Sequence, residues 1–166
     1  MAGFPPISVR QPRPFDLVDE AIGISGLATG FEGVIQARVR DGNGAMLQET
    51  SVSVGGTGTW ANFHTDFMLL GIPTTPNGTL EVYEVSASGD GTELHKVVVP
   101  IVFGRVLIYP FHGFAQHTVA SGDTLSALAQ NWYGDATQWP RIFEANRHQL
   151  NNPDLIFPGQ VLRIPQ

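Results

Sequence analysis

Two rhythms of apolar residues divide the chain. Through residue 104, apolar and polar side chains alternate over short runs, the period-2 signature of strands with one face buried. The clearest run is 34–41, where Ile35, Ala37 and Val39 alternate with Gln36, Arg38 and Arg40. Ile22 and Ile24 share one face of a strand over 21–27, and further strands are predicted over 7–9, 46–54, 63–70, 79–87 and 94–103. The alternation in 79–87 is imperfect, which points to a strand covered on both faces. Asp41-Gly-Asn-Gly44 is a strong hairpin signal, and Gly55–Gly58, 73–78 and Ser88–Gly91 punctuate the rest. Seven short strands joined in this way predict an all-β sandwich, with no helical period before residue 120.

From residue 117 the rhythm changes. His117, Thr118 and Val119 make a short strand stopped by Ser121-Gly122. Asp123 stands where a helix N-cap is expected. Leu125, Leu128, Ala129 and Trp132 follow as one apolar helix face, ended by Gly134. Asp135 and Gln138 have capping-box spacing. Trp139, Ile142 and Phe143 stripe a second helix that carries Pro140 in its first turn and ends at Asn146. Turns at 151–154 and at Pro158-Gly159 lead into a closing strand with Val161, Leu162 and Ile164. The order is strand, helix, helix, strand, a small α+β (βααβ) unit. The predicted division is a sandwich over 1–104, a join over 105–116 and the βααβ unit over 117–166. The join is too apolar for a free linker, with Val106, Leu107, Ile108, Tyr109, Phe111 and Phe114. It is expected to pack on a domain or a protein partner.

Charge and composition narrow the chemistry. The net charge of −6 sits in the sandwich, where five basic residues face eleven acidic ones; residues 105–166 hold four of each. An acidic domain beside a neutral one argues against a nucleic-acid partner, which requires a basic footprint. There is no cysteine, so disulfides and thiolate chemistry are excluded. No apolar run has the length of a transmembrane helix. The proline-rich start lacks the apolar core of a secretory signal, so the expected location is cytoplasmic, or the cell envelope if an export signal was removed. His64, His95, His112, His117 and His148 are scattered, and neither a metal site nor a cofactor is expected. No nucleophile elbow or phosphate loop is present, and three of the four acids after residue 104 fall at turns or caps. A non-catalytic protein is expected. Phe31-Glu32-Gly33 is a candidate contact, with Phe31 plugging one end of the sandwich as the simpler role.

Two stretches carry family resemblances. HTVASGDTLSALA and NPDLIFPGQVLRIP, in that order and spacing, resemble the LysM domain, a βααβ module that binds N-acetylglucosamine-containing glycans such as peptidoglycan and chitin. The resemblance implies a sugar groove between two loops. By position these are Ser121, Gly122, Asp123, Thr124 and Leu125, then Asn152, Pro153, Asp154, Leu155, Ile156 and Phe157. Loops rich in Gly, Pro and Asn expose the backbone groups that a neutral glycan requires. The segment YGDATQWPRIFEANR is similar to a LysM subgroup of cytoplasmic bacterial proteins and phage-tail baseplates, in which the module often serves for attachment. VRQPRPFDLV, ISGLATGFEGVIQARVRDGNG, GTLEVYEVSASGDG and VVVPIVF resemble the immunoglobulin-like domain of bacterial spore germination, which implies an immunoglobulin-like sandwich without catalysis. Two functions follow as expectations. One is a scaffold attached to peptidoglycan or a chitin-like glycan. The other is an assembly protein whose LysM docks on protein partners, with the apolar join and the sandwich as further protein-binding surfaces.

Overall fold

The computed structural model describes residues 5–29, 31–55 and 58–166. Its first strands are β1 (Ile7–Gln11), β2 (Asp16–Val18), β3 (Ala21–Ala28), β4 (Val34–Asp41), β5 (Met46–Ser53), β6 (Ala61–Met68), β7 (Asn77–Val85) and β8 (Glu93–Phe103). They form two sheets, β1-β3-β6 and β2-β8-β7-β4-β5. All neighbours are antiparallel except β2, which runs parallel to β8. The expected sandwich is present, with β2 as an addition. Three residues are too few to display a period, so only pairing with β8 reveals that strand.

The core follows from the alternation. Ile22 and Ile24 of β3, Ile35, Ala37 and Val39 of β4, Leu80 and Val82 of β7, and Ile101 of β8 are all at most 1% exposed. β7 lies between β4 and β8, and an irregularity between Val82 and Glu84 leaves Leu80, Val82, Tyr83 and Glu84 all buried. This is the doubly covered strand that its broken alternation predicted. At Gly26 of β3 a Cβ would lie 2.2 Å from the Ser8 carbonyl oxygen, so only glycine allows β1 to approach there.

Arg38 departs from the expected pattern. It alternates with core residues yet is buried on the opposite face of β4. Its guanidinium donates to Glu81 and Glu93 and lies 4.7 Å from the Tyr83 ring centroid. Burial opposes its charge, but the hydrogen bonds to Glu93 and Glu81 outweigh that and hold it more firmly protonated. The hydrogen bond from Arg38, with one from Lys96, lowers the Glu93 carboxyl to about 2. Arg38 thus points away from the core yet is shielded by Tyr83 and its carboxylate partners rather than by apolar side chains.

The chain leaves the sandwich through α1 (Gly104–Leu107), directly after β8. The Phe111 ring folds back onto Gly104, where a Cβ would fall 2.5 Å from it. Leu107 is buried with Val102 of β8, and Phe15 and Leu17 pack alongside. The join is packed rather than free. Its last residues already belong to β9 (Phe114–Thr118), which pairs antiparallel with β10 (Val161–Pro165). Between those strands run α2 (Leu125–Tyr133), a 3-10 turn (Ala136–Gln138) and α3 (Trp139–Ala145), the expected βααβ order. The unit buries Val119, Leu125, Leu128, Ala129, Ile142, Leu150, Leu162 and Ile164 in its own core.

Some local expectations change. Thr124, not Asp123, caps α2; its hydroxyl accepts from the Ala127 N–H at 3.1 Å. Trp132 is 40% exposed. Tyr133 packs instead, and its hydroxyl donates to the Pro165 carbonyl at 3.1 Å, because neighbouring helix positions point about 100° apart and it is Tyr133 that faces β10. Gly134 ends α2 in the left-handed conformation as expected.

The seam between the two parts is apolar at its centre and polar at its rim. Ala145 of α3 is fully buried in the cluster with Val102 and Leu107. Asn77 donates to Glu144, and Arg163 of β10 donates to the Phe15 carbonyl at 2.7 Å while facing Asp16 at 3.6 Å. Arg163 is itself placed by Asn146, which is 0% exposed. The Asn146 amide donates to the carbonyls of Ile142 and Arg163, both at 2.7 Å, and its oxygen accepts from the Arg163 N–H at 2.8 Å. Asn146→Asp would turn those donors into acceptors facing two buried carbonyls. We expect a loss of about 3 kcal/mol or more, against about 2 kcal/mol for Asn146→Ala. Urea unfolding followed by tryptophan fluorescence checks this, and an unchanged midpoint for the Asp variant contradicts it.

Candidate functional site

The first loop is built around Asp123. Gly122 takes the left-handed conformation (φ 89°) that turns the chain after β9. One oxygen of Asp123 then lies 2.9 Å from His117 Nε2 and 2.9 Å from the Ala120 N–H. The hydrogen bond with His117, and then that from Ala120, holds the carboxyl below the ordinary carboxylate range. The carboxylate thus clamps the loop to β9 and leaves helix capping to Thr124.

The second loop is held by side-chain amides. Asn152 accepts from the Asp154 N–H at 2.9 Å, a local turn of the kind asparagine favours. Gln160 accepts from the Phe157 N–H at 3.2 Å. Backbone bonds from Gly159 N–H to Val119 and from Val119 N–H to Gln160, both 2.8 Å, tie the second loop to the start of the first. The two loops therefore stand on one small sheet.

Between them lies a groove of about 180 Å³, lined by Asp123, Thr124, Leu125, Ser126, Trp139, Pro153, Asp154 and Ile156. Six of the eleven expected residues meet there: Asp123, Thr124 and Leu125 from the first loop, Pro153, Asp154 and Ile156 from the second. Ser121, Gly122, Asn152, Leu155 and Phe157 are not among the lining residues. Gly122 and Asn152 shape their turns, and Leu155 and Phe157 are 55% and 64% exposed.

Ser126 and Trp139 were missed by sequence reasoning. Ser126 follows the cap, with its hydroxyl 3.1 Å from that of Thr124. Trp139 falls on the apolar stripe of α3 and reads as core, yet it is only half-buried. Phe143 supports its ring edge-on at a centroid distance of 6.2 Å. A tryptophan at a helix start, just after a turn, is the available signal. The side chain of Phe31, the other candidate contact, lies outside the described residues, as do residues 56 and 57 of the 55–58 break. Glu32 sits in a 3-10 turn with φ 55°.

The groove offers two carboxylates, two hydroxyls, an indole and an apolar floor. Among the described residues no group of three or more His, Asp or Glu is placed to hold a metal ion. No described helix is long and apolar enough to cross a membrane.

The model of the immunoglobulin-like domain of bacterial spore germination matches residues 6–91, just over half the chain. The chain belongs to that family. The LysM domain model matches residues 117–165, so an immunoglobulin-like domain is followed by LysM. Both are binding modules rather than catalytic ones, and LysM is a module for peptidoglycan and related glycans. The potassium binding protein Kbp of Escherichia coli O6:H1 is 58% identical over 50 residues, 30% of this chain and 34% of that protein. A protein of Deinococcus radiodurans is 47% identical over 53 residues, 32% and 20% of the two chains. An esterase of Mycobacterium tuberculosis is 48% identical over 61 residues, 37% and 12%. The chain thus spans about a third or less of the length of these relatives.

The Asp123 clamp makes a pH prediction for the LysM module. A carboxyl whose pKa is lower folded than unfolded stabilises the fold above its unfolded pKa. That contribution disappears as pH falls through the folded value. Between pH 6 and pH 2 the melting temperature of Asp123→Asn should fall less steeply than that of the native chain. Parallel curves would show that the clamp carries no such linkage.

Proposed function

We propose that this chain is a non-catalytic scaffold whose LysM groove attaches it to peptidoglycan or another N-acetylglucosamine-containing glycan. The observation that carries this reading is the meeting of the two expected loops around one groove of sugar-ring dimensions. Leu125, Pro153 and Ile156 supply the apolar contacts, and the hydroxyls and carboxylates supply partners for sugar hydroxyls and acetamide N–H groups. In this reading residues 1–104 form the presenting domain, 105–116 the packed join and 117–166 the attachment module. The tight seam through Leu107, Ala145 and Arg163 supports a fixed orientation of the groove relative to the sandwich.

A second reading is favoured by exposed apolar residues of the second loop and of the join. Leu155 and Phe157 project from the second loop, and Tyr109 of the join is 76% exposed. These suit docking on a protein partner in a cytoplasmic or phage-tail-like assembly. Co-sedimentation with purified peptidoglycan separates the readings. The glycan reading expects retention by the wall and about tenfold weaker retention for Asp154→Ala and Ile156→Ala, near 1.4 kcal/mol each. No retention of the native chain, together with co-purification in a large complex, supports the assembly reading.

A further inference from the structure

A strand at the end of a sheet leaves one row of backbone N–H and C=O groups unpaired, and such a row is a template for another strand. Among the described residues the sandwich has four end strands, β1 and β6 in one sheet and β2 and β5 in the other. Three of them are blunted. β1 breaks its register between Val9 and Gln11, carries Arg10 and runs into Pro12. β2 has only three residues. β5 pairs irregularly with β4, and the Gly71 N–H already occupies its Leu47 carbonyl at 2.9 Å. β6 differs. It pairs with β3 over all of Ala61–Met68 without a register shift, and it holds no Pro, Lys or Arg.

The outward face of β6 is complementary to itself. Phe63 is buried, whereas Asn62, His64, Asp66 and Met68 are exposed. His64 Nε2 and Asp66 Oδ2 lie 3.5 Å apart, with the side chains 68% and 69% exposed. Opposite them on β3 stand Ser25 and Gly23, which carry no charge. A second β6 added antiparallel, with Thr65 opposite its own copy, brings His64 of each chain against Asp66 of the other. Directly opposed residues of an antiparallel pair share a face, so both contacts form together. Moving the twofold centre to Asp66 or to His64 sets like against like and forfeits both pairs. In the favoured register Met68 faces Asn62. Beyond the strand ends Leu70, 81% exposed, comes level with Trp60, 40% exposed.

We propose that two copies of this chain pair antiparallel through the free edges of β6, about a twofold axis at Thr65, and so join their three-stranded sheets into one continuous sheet. Backbone hydrogen bonds supply the attraction, and the paired His64 and Asp66 set the register. The contact uses the same edge of both chains, so it closes at two copies. A single strand edge is a small interface, of the class below about 1,200 Å² that associates weakly. The pairing is independent of what the LysM groove takes, and it places two grooves on one particle.

Sedimentation velocity of the full chain over a concentration series tests this. The native chain should move from the mass of one copy toward that of two with a midpoint of roughly 10 µM, as a small interface implies. His64→Asp leaves only carboxylates at the axis and should raise that midpoint about tenfold or more. The charge-swapped double variant, His64→Asp with Asp66→His, should recover it. Both positions are exposed, so the melting temperature of each variant should stay near that of the native chain. The absence of cysteine lets the register be read directly. Opposed residues have Cα atoms about 5 Å apart, within disulfide reach. Thr65→Cys should therefore cross-link into dimers in oxidised glutathione, whereas Asn62→Cys, which faces Met68, should not. A native chain that stays monomeric to about 1 mM overturns the proposal and leaves the β6 edge to a strand of another protein. A dimer unmoved by His64→Asp, or one that cross-links as readily with Asn62→Cys as with Thr65→Cys, overturns it as well.

Discussion

A single buried amide holds the C-terminal module in shape. Asn146 ends α3 with no exposure to solvent, so each of its polar atoms requires a protein partner. It finds them on both sides of Arg163, accepting from that residue's N–H and donating to its carbonyl. In effect the side chain pairs with β10 as a neighbouring strand would. A helix end and a strand that share no backbone ladder are thereby locked in register. Gln149 extends the lock, donating to the Asn146 oxygen at 3.2 Å and to the Val161 carbonyl at 2.8 Å.

Two consequences spread from this lock. The strand it fixes is continuous with the second groove loop, whose last residues are tied back to Val119 by backbone bonds. The groove is therefore held by the same hydrogen bonds that hold the core. In the other direction, the Arg163 side chain leaves β10 toward the sandwich and donates to the Phe15 carbonyl. Its neighbours on α3 complete the seam, with Ala145 against Leu107 and Val102. Val102 lies on β8 between the inward-facing Ile101 and Phe103 and would face water in an isolated sandwich. Its burial is a product of docking, and it explains why the end of β8 is apolar on both faces.

The carboxylates divide along similar lines. Arg38, Glu81 and Glu93 form a satisfied network on the outer face of the larger sheet, where each charge has an opposite partner within the same patch. Buried charges of this kind are costly unless paired, and here pairing is complete enough that the cluster serves the fold. In the groove the balance differs. Asp123 is committed to its clamp through one oxygen, and Asp154 lines the groove with no ion-pair partner among the described residues.

Much of this protein was legible in its order of residues. The sandwich followed from alternation in β3, β4 and their neighbours, because burial of one sheet face writes a two-residue period directly into the chain. The βααβ module followed from helix stripes and stops such as Gly134, whereas the two loops that border the groove were expected only from the resemblance to LysM. Those signals are local, and local sequence determines them. Tertiary structure decided the rest. Only pairing across 85 residues makes a strand of Asp16–Val18 against β8, where Asp16 meets Ile101. Only the contact with His117 turns Asp123 from a cap into a clamp, since two acceptor residues in succession compete for the same cap. Trp139 is apolar at a core position, and its place in the groove lining depends on where the loop carrying Pro153, Asp154 and Ile156 folds back against it. Asn146 reads as a helix terminator in any local window; its role is set by β10. Period and turn chemistry are written over a few residues, whereas a partner's identity depends on which surfaces the finished fold brings together.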